Sequence, residues 1–317
     1  MENKRILTYD YLRGFAMFSI VIGHLLYYSG RASGSLAFQI CDTIEIPVFM
    51  YISGLLAHIS VDRYGFRKLI ATKVVRLLFP LFSFYVIWSL WDSSLWLGFW
   101  TKEFKNGYWF MLVLFELMVT LSFVKQVSMR FNVKSVYVNT VVYAFVILLC
   151  FLLKDGWINT LFCLKLYLHY YPFFMMGYYS YRLDRFLLMK YAPFYLLVYV
   201  LAFLCMDGQW RGPAKLVCNL FSLLFLLSLF SSSFQPLKKV FAEVGINSLQ
   251  VYMIHFFLLF PLLKVLPVVE NRWLEFLYYT VVATAIIFVT IAFSKLLMKN
   301  KWLAMLLFGV RPKKKTA

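Results

Sequence analysis

Tyr11-Leu-Arg13-Gly-Phe-Ala-Met-Phe-Ser-Ile-Val-Ile-Gly-His24-Leu-Leu-Tyr-Tyr-Ser29 is the first long apolar run of the chain, and it contains a cation and an imidazole. A helix needs about 20 such residues to cross a bilayer. Ionisable groups inside a membrane are costly, and they usually mark a site or a pathway. Eleven residues separate Arg13 from His24, which is roughly 16 Å along a helix. The pair therefore predicts a site that reaches from one membrane face to the middle.

The composition of the whole chain is that of an integral membrane protein. Of its 317 residues, 62% are hydrophobic and 15% are charged, and the mean hydropathy is +0.75. Soluble domains are about half apolar and about a quarter charged. The net charge is +18. The Lys and Arg residues that produce it lie mainly in the links between apolar runs, which is typical of membrane topology and does not indicate a nucleic-acid partner.

The apolar runs predict an all-α polytopic membrane protein with about ten transmembrane helices and a single domain over residues 1–317. The predicted spans are 11–29, 36–58, 77–98, 107–124, 135–153, 161–181, 191–206, 214–231, 244–263 and 274–294. With the N-terminus inside, more than two thirds of the 32 Lys and Arg residues fall on the inner side. Cytoplasmic links are the basic ones, so both termini are expected in the cytoplasm.

Four ionisable residues of different spans are predicted to lie at one depth. Counting the rise per residue from the nearer membrane face puts His24, Glu45, Glu116 and His255 close to the bilayer midplane. Each one alone is equally consistent with an ordinary hydrogen bond between helices. Four together favour a polar cavity, where a His beside a carboxylate can act as a general base.

A second candidate site is the link between the second and third spans, residues 62–76. Its cations permit two interpretations, a positive-inside anchor or a phosphate-binding surface at the cytoplasmic mouth. The residues assigned to phosphate binding are Arg67, Lys68, Lys73 and Arg76. No spacing typical of metal ligands occurs, so no metal is expected.

Several motifs along the chain carry a resemblance to a known family. They are Asp10-Tyr-Leu-Arg13-Gly with His24, Ile46-Pro-Val-Phe-Met-Tyr-Ile-Ser-Gly54, Arg76-Leu-Leu-Phe-Pro80, Tyr108-Trp-Phe-Met111, Tyr171-Pro-Phe-Phe-Met-Met-Gly177 and Gly245-Ile-Asn-Ser248-Leu-Gln-Val-Tyr252-Met-Ile-His255. The first resembles the Arg-x10-His signature of the membrane acyltransferase family 3. Taken together, the motifs resemble most closely the branch that is similar to fucose 4-O-acetylases, and the resemblance covers nearly the whole chain.

The resemblance implies a ten-helix enzyme of the bacterial inner membrane that moves an acetyl group from acetyl-CoA to a hydroxyl of a surface glycan. His24 and Arg13 are then the expected catalytic residues. Glu116 joins them only because of its predicted depth. The candidates for binding the acceptor are Glu45, Ser248, Tyr252 and His255. The expected partners are acetyl-CoA, a glycan or lipid-linked saccharide, and membrane lipids, and no cofactor besides the acyl donor is expected.

Three alternatives remain open at the level of sequence. His24 can deprotonate the acceptor hydroxyl, or it can carry the acetyl group as a covalent relay. A transporter or flippase for a lipid-linked sugar also fits ten helices with midplane charges, although no repeat of two related halves is visible. A member of the larger, unrelated family of membrane-bound O-acyltransferases is disfavoured by the short chain and by a His in the first helix.

Overall fold

The structure, a computed structural model, describes residues 7–32, 35–153, 156–180, 190–206, 211–231, 237–267, 269 and 271–310. Over these residues the chain is helical and contains no strand. It divides into two compact units, unit one with residues 1–52 and 182–295, and unit two with residues 53–181 and 296–317. The residues before Leu7 and after Val310, on which the predicted position of the termini depends, lie outside the described ranges.

The α-helices of the described chain range from 5 to 28 residues in length. In chain order they are α1 (Leu7–Tyr28), α2 (Leu36–Arg63), α3 (Phe66–Lys73), α4 (Phe79–Trp91), α5 (Ser94–Thr101), α6 (Trp109–Phe131), α7 (Ser135–Leu152), α8 (Trp157–Leu161), α9 (Leu164–Tyr179), α10 (Ala192–Leu204), α11 (Arg211–Ser231), α12 (Lys238–Ile246), α13 (Ser248–Leu263), α14 (Arg272–Leu297) and α15 (Lys301–Phe308). A π-helical turn, Val74–Leu78, joins α3 to α4, and a 3-10 turn, Lys105–Gly107, precedes α6.

Every predicted span coincides with at least one of these helices. Within the described residues, six helices are long and apolar enough to cross a membrane: 36–63, 66–91, 109–131, 135–152, 211–230 and 274–297. The pair α12 and α13 passes the same test together, but it is bent by 83°. Neither α1 nor the 16-residue α9 is among the six. The chain is thus a multi-pass membrane protein, while ten crossings remain a prediction.

The third predicted span differs most from the structure. The helix begins at Phe66 rather than at residue 77, so the basic link is itself largely helical. It ends at Trp91, because Asp92 is extended. The π turn falls just before Pro80, whose ring would clash with the carbonyl of Arg76 in a regular α-helix. Widening the turn by one residue relieves that clash.

The ninth predicted span is broken at Asn247. The Asn247 side chain donates to the carbonyl of Glu243 at 2.8 Å, and its backbone N–H bonds Glu243 and Val244. These bonds satisfy carbonyls that the end of α12 leaves open. The chain therefore turns into α13 at Asn247, where the last carbonyls of α12 are hydrogen-bonded.

Close packing of α1 on α12 is the main contact inside unit one. A Cβ on Gly14 would lie 1.9 Å from the carbonyl oxygen of Phe241. A Cβ on Gly245 would lie 1.9 Å from the carbonyl oxygen of Asp10. Small residues let membrane helices approach this closely. The two glycines therefore fix the distance between α1 and α12.

Replacing Gly14 by Ala is expected to lower the unfolding temperature of the protein in detergent. The new methyl group would meet backbone atoms, which cannot rotate away, at a cost of about 1–3 kcal/mol or more. Gly212→Ala is the matched control, because a Cβ there meets nothing within 4 Å. Equal unfolding temperatures for Gly14→Ala and the wild type would contradict the glycine contact.

Candidate functional site

The first helix carries both residues of the Arg-x10-His pair on one face. Eleven residues at 100° each make three full turns and about 20° more. Arg13 and His24 therefore project from the same side of α1, roughly 16 Å apart along its axis. Both side chains are partly buried.

Helix α13 brings a second histidine to α1. His255 is fully buried, and its Nε2 lies 3.0 Å from Nδ1 of His24. The two rings are nearly parallel, with 7° between their planes. Tyr252 lies one turn before His255, and Ser248 two turns before it, on the same side of α13. His24 and His255, which were predicted to lie at the same depth, are thus in direct contact.

Hydrogen bonding determines which nitrogen of each ring carries the proton. Nδ1 of His255 lies 3.0 Å from the carbonyl oxygen of Val251 and 2.9 Å from that of Tyr252. Carbonyl oxygens only accept, so this nitrogen is the N–H donor. A fully buried imidazole is least costly when neutral, which makes Nε2 of His255 an acceptor. The assignment follows from the hydrogen-bond network.

His24 must then donate through Nδ1–H to His255. Its own neutral ring consequently carries a lone pair on Nε2. No hydrogen bond to this nitrogen is made by the residues that the structure describes. The arrangement is a relay of fixed direction, from His24 through His255 to two backbone carbonyls, and it leaves the lone pair of His24 Nε2 as a proton acceptor.

Aromatic side chains hold the His24 ring in place. Phe256 stacks on it with 4.9 Å between centroids and 27° between planes. Tyr28, one turn later on α1, meets it edge-on at 6.1 Å. An apolar wall of this kind limits access of water to the ring and fixes its rotamer.

Glu45 approaches α1 beside His24. Its Oε2 would lie 3.2 Å from a Cβ on Gly23, the residue before His24. This oxygen is shielded from solvent and has no hydrogen-bond partner within the described ranges. A shielded carboxylate oxygen without a partner is uncommon in folded proteins and often indicates a ligand or a functional role.

Neighbouring polar residues of α2 have structural partners instead. Lys215 of α11 pairs with Asp42 at 2.5 Å. The Thr43 hydroxyl bonds Tyr199 of α10 at 3.1 Å, and Ser222 donates to the Thr43 carbonyl at 3.0 Å. These bonds attach α2 to α10 and α11. They fix the position from which Glu45 reaches α1.

The remaining predicted site residues belong to unit two. Glu116 lies on α6, and both of its carboxylate oxygens are shielded and lack hydrogen-bond partners in the described chain. The cations of the basic link lie on α3 and the π turn: Arg67, Lys68 and Arg76 are exposed, and Lys73 is partly buried. The phosphate-binding role predicted for these cations and the catalytic role predicted for Glu116 stay predictions.

Sequence reasoning missed two features of the site. It considered His255 for acceptor binding, whereas the structure gives it a hydrogen bond to His24. It did not single out Phe256, which contacts both imidazoles. The sequence did contain a signal for this pairing. His24 lies ten residues after Gly14 and His255 lies ten residues after Gly245, and both glycines belong to the α1–α12 contact. Among the described residues, no group of three or more His, Cys, Asp or Glu could hold a metal ion.

Comparison with known families gives this geometry a context. Residues 6–295 match the acyltransferase domain family.

The chain belongs to the acyltransferase 3 family.

The family match includes both histidines and all but the two ends of the chain. The chain is also similar to the nodulation protein NolL of two bacteria. Identity to the Mesorhizobium japonicum protein is 33% over 94 residues, covering 28% of this chain and 25% of that protein. Identity to the Sinorhizobium fredii protein is 32% over 84 residues, covering 25% and 23%. The chain thus spans about a quarter of the curated relatives it matches, and no solved structure matches it.

The proton assignment in this acyltransferase 3 protein is directly measurable. The chain has four histidines, so selective ¹⁵N-histidine labelling gives few NMR signals. We expect Nδ1 of His24 to be protonated, with a coupling across the N–H···N bond to His255, and Nε2 to be unprotonated. His24→Ala identifies the signals. A protonated Nε2 on a neutral His24 would contradict the relay.

Proposed function

We propose that this protein is an O-acyltransferase of the bacterial inner membrane, which moves an acetyl group from acetyl-CoA to a hydroxyl of a cell-surface or exported polysaccharide. The observation that carries the proposal is the hydrogen bond from His24 to His255, which leaves a lone pair on Nε2 of His24 to accept a proton. Family membership supports the reaction class.

In the proposed reaction, Nε2 of His24 takes the proton of the acceptor hydroxyl. The hydroxyl oxygen attacks the thioester carbon, so that a C–O bond forms as the C–S bond breaks. The CoA sulfur leaves with the electron pair of that bond and receives the proton from His24. The protonated His24 keeps its Nδ1–H donated to His255 throughout, so the ring does not need to reorient.

The cations of the basic segment, together with Arg13, are proposed to bind the acyl donor, which carries several phosphates. Arg67 and Lys68 are exposed in the first turn of α3, where unpaired backbone N–H groups also favour anions. Arg13 lies on the His24 face of α1 and would contact the donor between the cytoplasmic side and the reacting carbon. Lys73 and Arg76 continue the basic segment.

Substitution of His24 tests the catalytic assignment. His24→Ala should lower acetyl transfer by about 10²–10⁴-fold, which is the usual contribution of a general base. Transfer is measured in membranes with acetyl-CoA and purified surface glycan, at matched protein levels. His58→Ala is the control. His58 belongs to unit two, and its Nε2 lies 3.6 Å from the carboxylate of Asp62, whereas His24 and His255 belong to unit one. Retained transfer by His24→Ala would overturn the assignment.

The same assay distinguishes the open alternatives. Labelled acetyl retained on the protein without acceptor, and absent from His24→Ala, would indicate a covalent relay through Nε2 instead of direct transfer. Failure of the wild type to bind or cleave acetyl-CoA would favour a transporter of a lipid-linked sugar.

Removing the basic residues tests donor binding. The triple variant Arg67→Ala, Lys68→Ala, Lys73→Ala should raise the Kd for acetyl-CoA about tenfold or more, since each phosphate contact with a cation contributes roughly 1 kcal/mol or more. A charge-matched triple variant, Arg130→Ala, Lys134→Ala, Lys239→Ala, removes exposed cations elsewhere and should leave Kd unchanged. If both triple variants weaken acetyl-CoA binding equally, the basic segment serves only to anchor the membrane topology.

A further inference from the structure

Unit two contains a turn of unusual backbone geometry between α5 and α6. Lys105, Asn106 and Gly107 have φ values of 47°, 51° and 94°. Left-handed φ costs an ordinary residue such as Lys105 about 1–2 kcal/mol, whereas Asn and Gly adopt it more readily. Cys163, which begins α9, is also left-handed at 49°, and its thiol lies 3.0 Å from the carbonyl of Glu103. Such strain persists where the surrounding structure requires it, often at functional sites.

The strained turn places a lysine inside the protein. Lys105 is 0% exposed, and its ammonium donates to the Thr160 carbonyl at 2.8 Å. It also lies 5.4 Å from the centre of the Phe99 ring. Burial lowers the pKa of Lys105, while the thiol of Cys163 and the carboxyls of Glu116 and Glu103 oppose that change. An ammonium has three N–H donors, so two remain beyond the bond to Thr160.

Carboxylates near this lysine are left without hydrogen bonds. Both oxygens of Glu116 and one oxygen of Glu103 are shielded from solvent and have no partner among the residues that the structure covers. Leaving a buried acceptor unsatisfied costs about 1–3 kcal/mol. Both carboxyls interact electrostatically with Lys105, so their three oxygens without partners favour a ligand that donates to them.

Glu116 lies on a face of α6 that is held against α9 on either side of it. Seven residues earlier, Trp109 stacks on Tyr170 with 5.4 Å between centroids and 19° between planes. One turn later, Thr120 accepts from the Tyr167 hydroxyl at 2.8 Å. Residues seven and four apart share a helix face. The carboxylate is thus positioned by firm contacts before and after it, without using either of its oxygens.

The chemistry of these groups restricts the ligand class. A phosphate would be repelled by the carboxylates, and a bare cation would leave the N–H groups of Lys105 without an acceptor. Each hydroxyl of a sugar both donates and accepts. Neighbouring hydroxyls can donate to the two oxygens of Glu116 and accept from the free N–H groups of Lys105.

We propose that Glu116, Glu103 and Lys105 form a binding site for a polyhydroxylated saccharide, with Glu116 accepting hydrogen bonds from two adjacent hydroxyls. The inference rests on the proposed function in naming this saccharide as the acetyl acceptor. Glu116 becomes a binding residue, distinct from the catalytic role that its depth suggested.

Saccharide binding is tested in the full chain carrying His24→Ala, without acetyl-CoA and in a sugar-free detergent. The probes are methyl hexosides and methyl 6-deoxyhexosides, detected by saturation-transfer NMR. Octyl glycosides with the same head groups, run in parallel, distinguish a lipid-linked saccharide from a soluble one. Addition of Glu116→Gln should weaken binding about tenfold or more, as expected for lost bonds to a charged acceptor. Unchanged binding, or none in the parent, overturns the site.

A second carboxylate variant controls for the loss of a charge. Glu243 is exposed and pairs with Lys295 at 3.0 Å, so Glu243→Gln should bind saccharide normally. Equal weakening by Glu243→Gln overturns the assignment to Glu116. Should Glu116→Gln fail to fold, Glu116→Asp retains the charge but withdraws the oxygens by one methylene, and it must still weaken binding.

Kinetics of the otherwise native enzyme separate binding from catalysis. Glu116→Gln should raise KM for the acceptor about tenfold or more, with KM for acetyl-CoA and kcat little changed. A fall in kcat at unchanged acceptor KM overturns the binding role. Saccharide binding that depends on Glu116, in a wild type that transfers no acetyl group, would support the site and overturn the proposed function alone.

Discussion

Contact between the backbones of α1 and α12 is the constraint on which the rest of unit one depends. Gly14 and Gly245 have no side chain to separate the two helices, so each approaches the main chain of the other. Asn247 then turns the chain by 83° into α13. Because α13 starts from a fixed point on α1, His255 meets His24 at hydrogen-bond distance. A small shift at either glycine would be transmitted to the imidazole pair.

The hydropathy of the sequence predicted where the helices lie, because the cost of exposing backbone groups to lipid leaves few alternatives to a helix. It predicted poorly where helices bend or begin. The π turn before Pro80 and the break at Asn247 arise from one ring clash and one side-chain cap, which leave little trace in an average over 20 residues. The start at Phe66 was missed because charged residues at a membrane face lower hydropathy without preventing a helix.

Depth along the membrane could be counted from the sequence, but direction around each helix could not. The rise per residue was enough to associate His24 with His255. Glu116 has the same predicted depth and belongs to unit two, and its association with His24 stays a prediction. Polar partners help where depth does not. Asp42 and Glu243 are paired with Lys215 and Lys295, as structural residues usually are. Glu45 and Glu116 instead retain shielded oxygens without hydrogen-bond partners in the described chain.

The support behind His24 is another imidazole, not a carboxylate, and this affects the lifetime of any proton it accepts. A carboxylate would neutralise the imidazolium, whereas His255 offers only a dipole that ends on the carbonyls of Val251 and Tyr252. A positive charge among Phe256 and other buried side chains is stabilised weakly. Such a pair favours a short-lived imidazolium. His24 would take the proton from the acceptor hydroxyl and soon release it to the newly formed thiolate. The apolar surroundings of His24 would thereby make deprotonation of the acceptor and protonation of the leaving group nearly simultaneous.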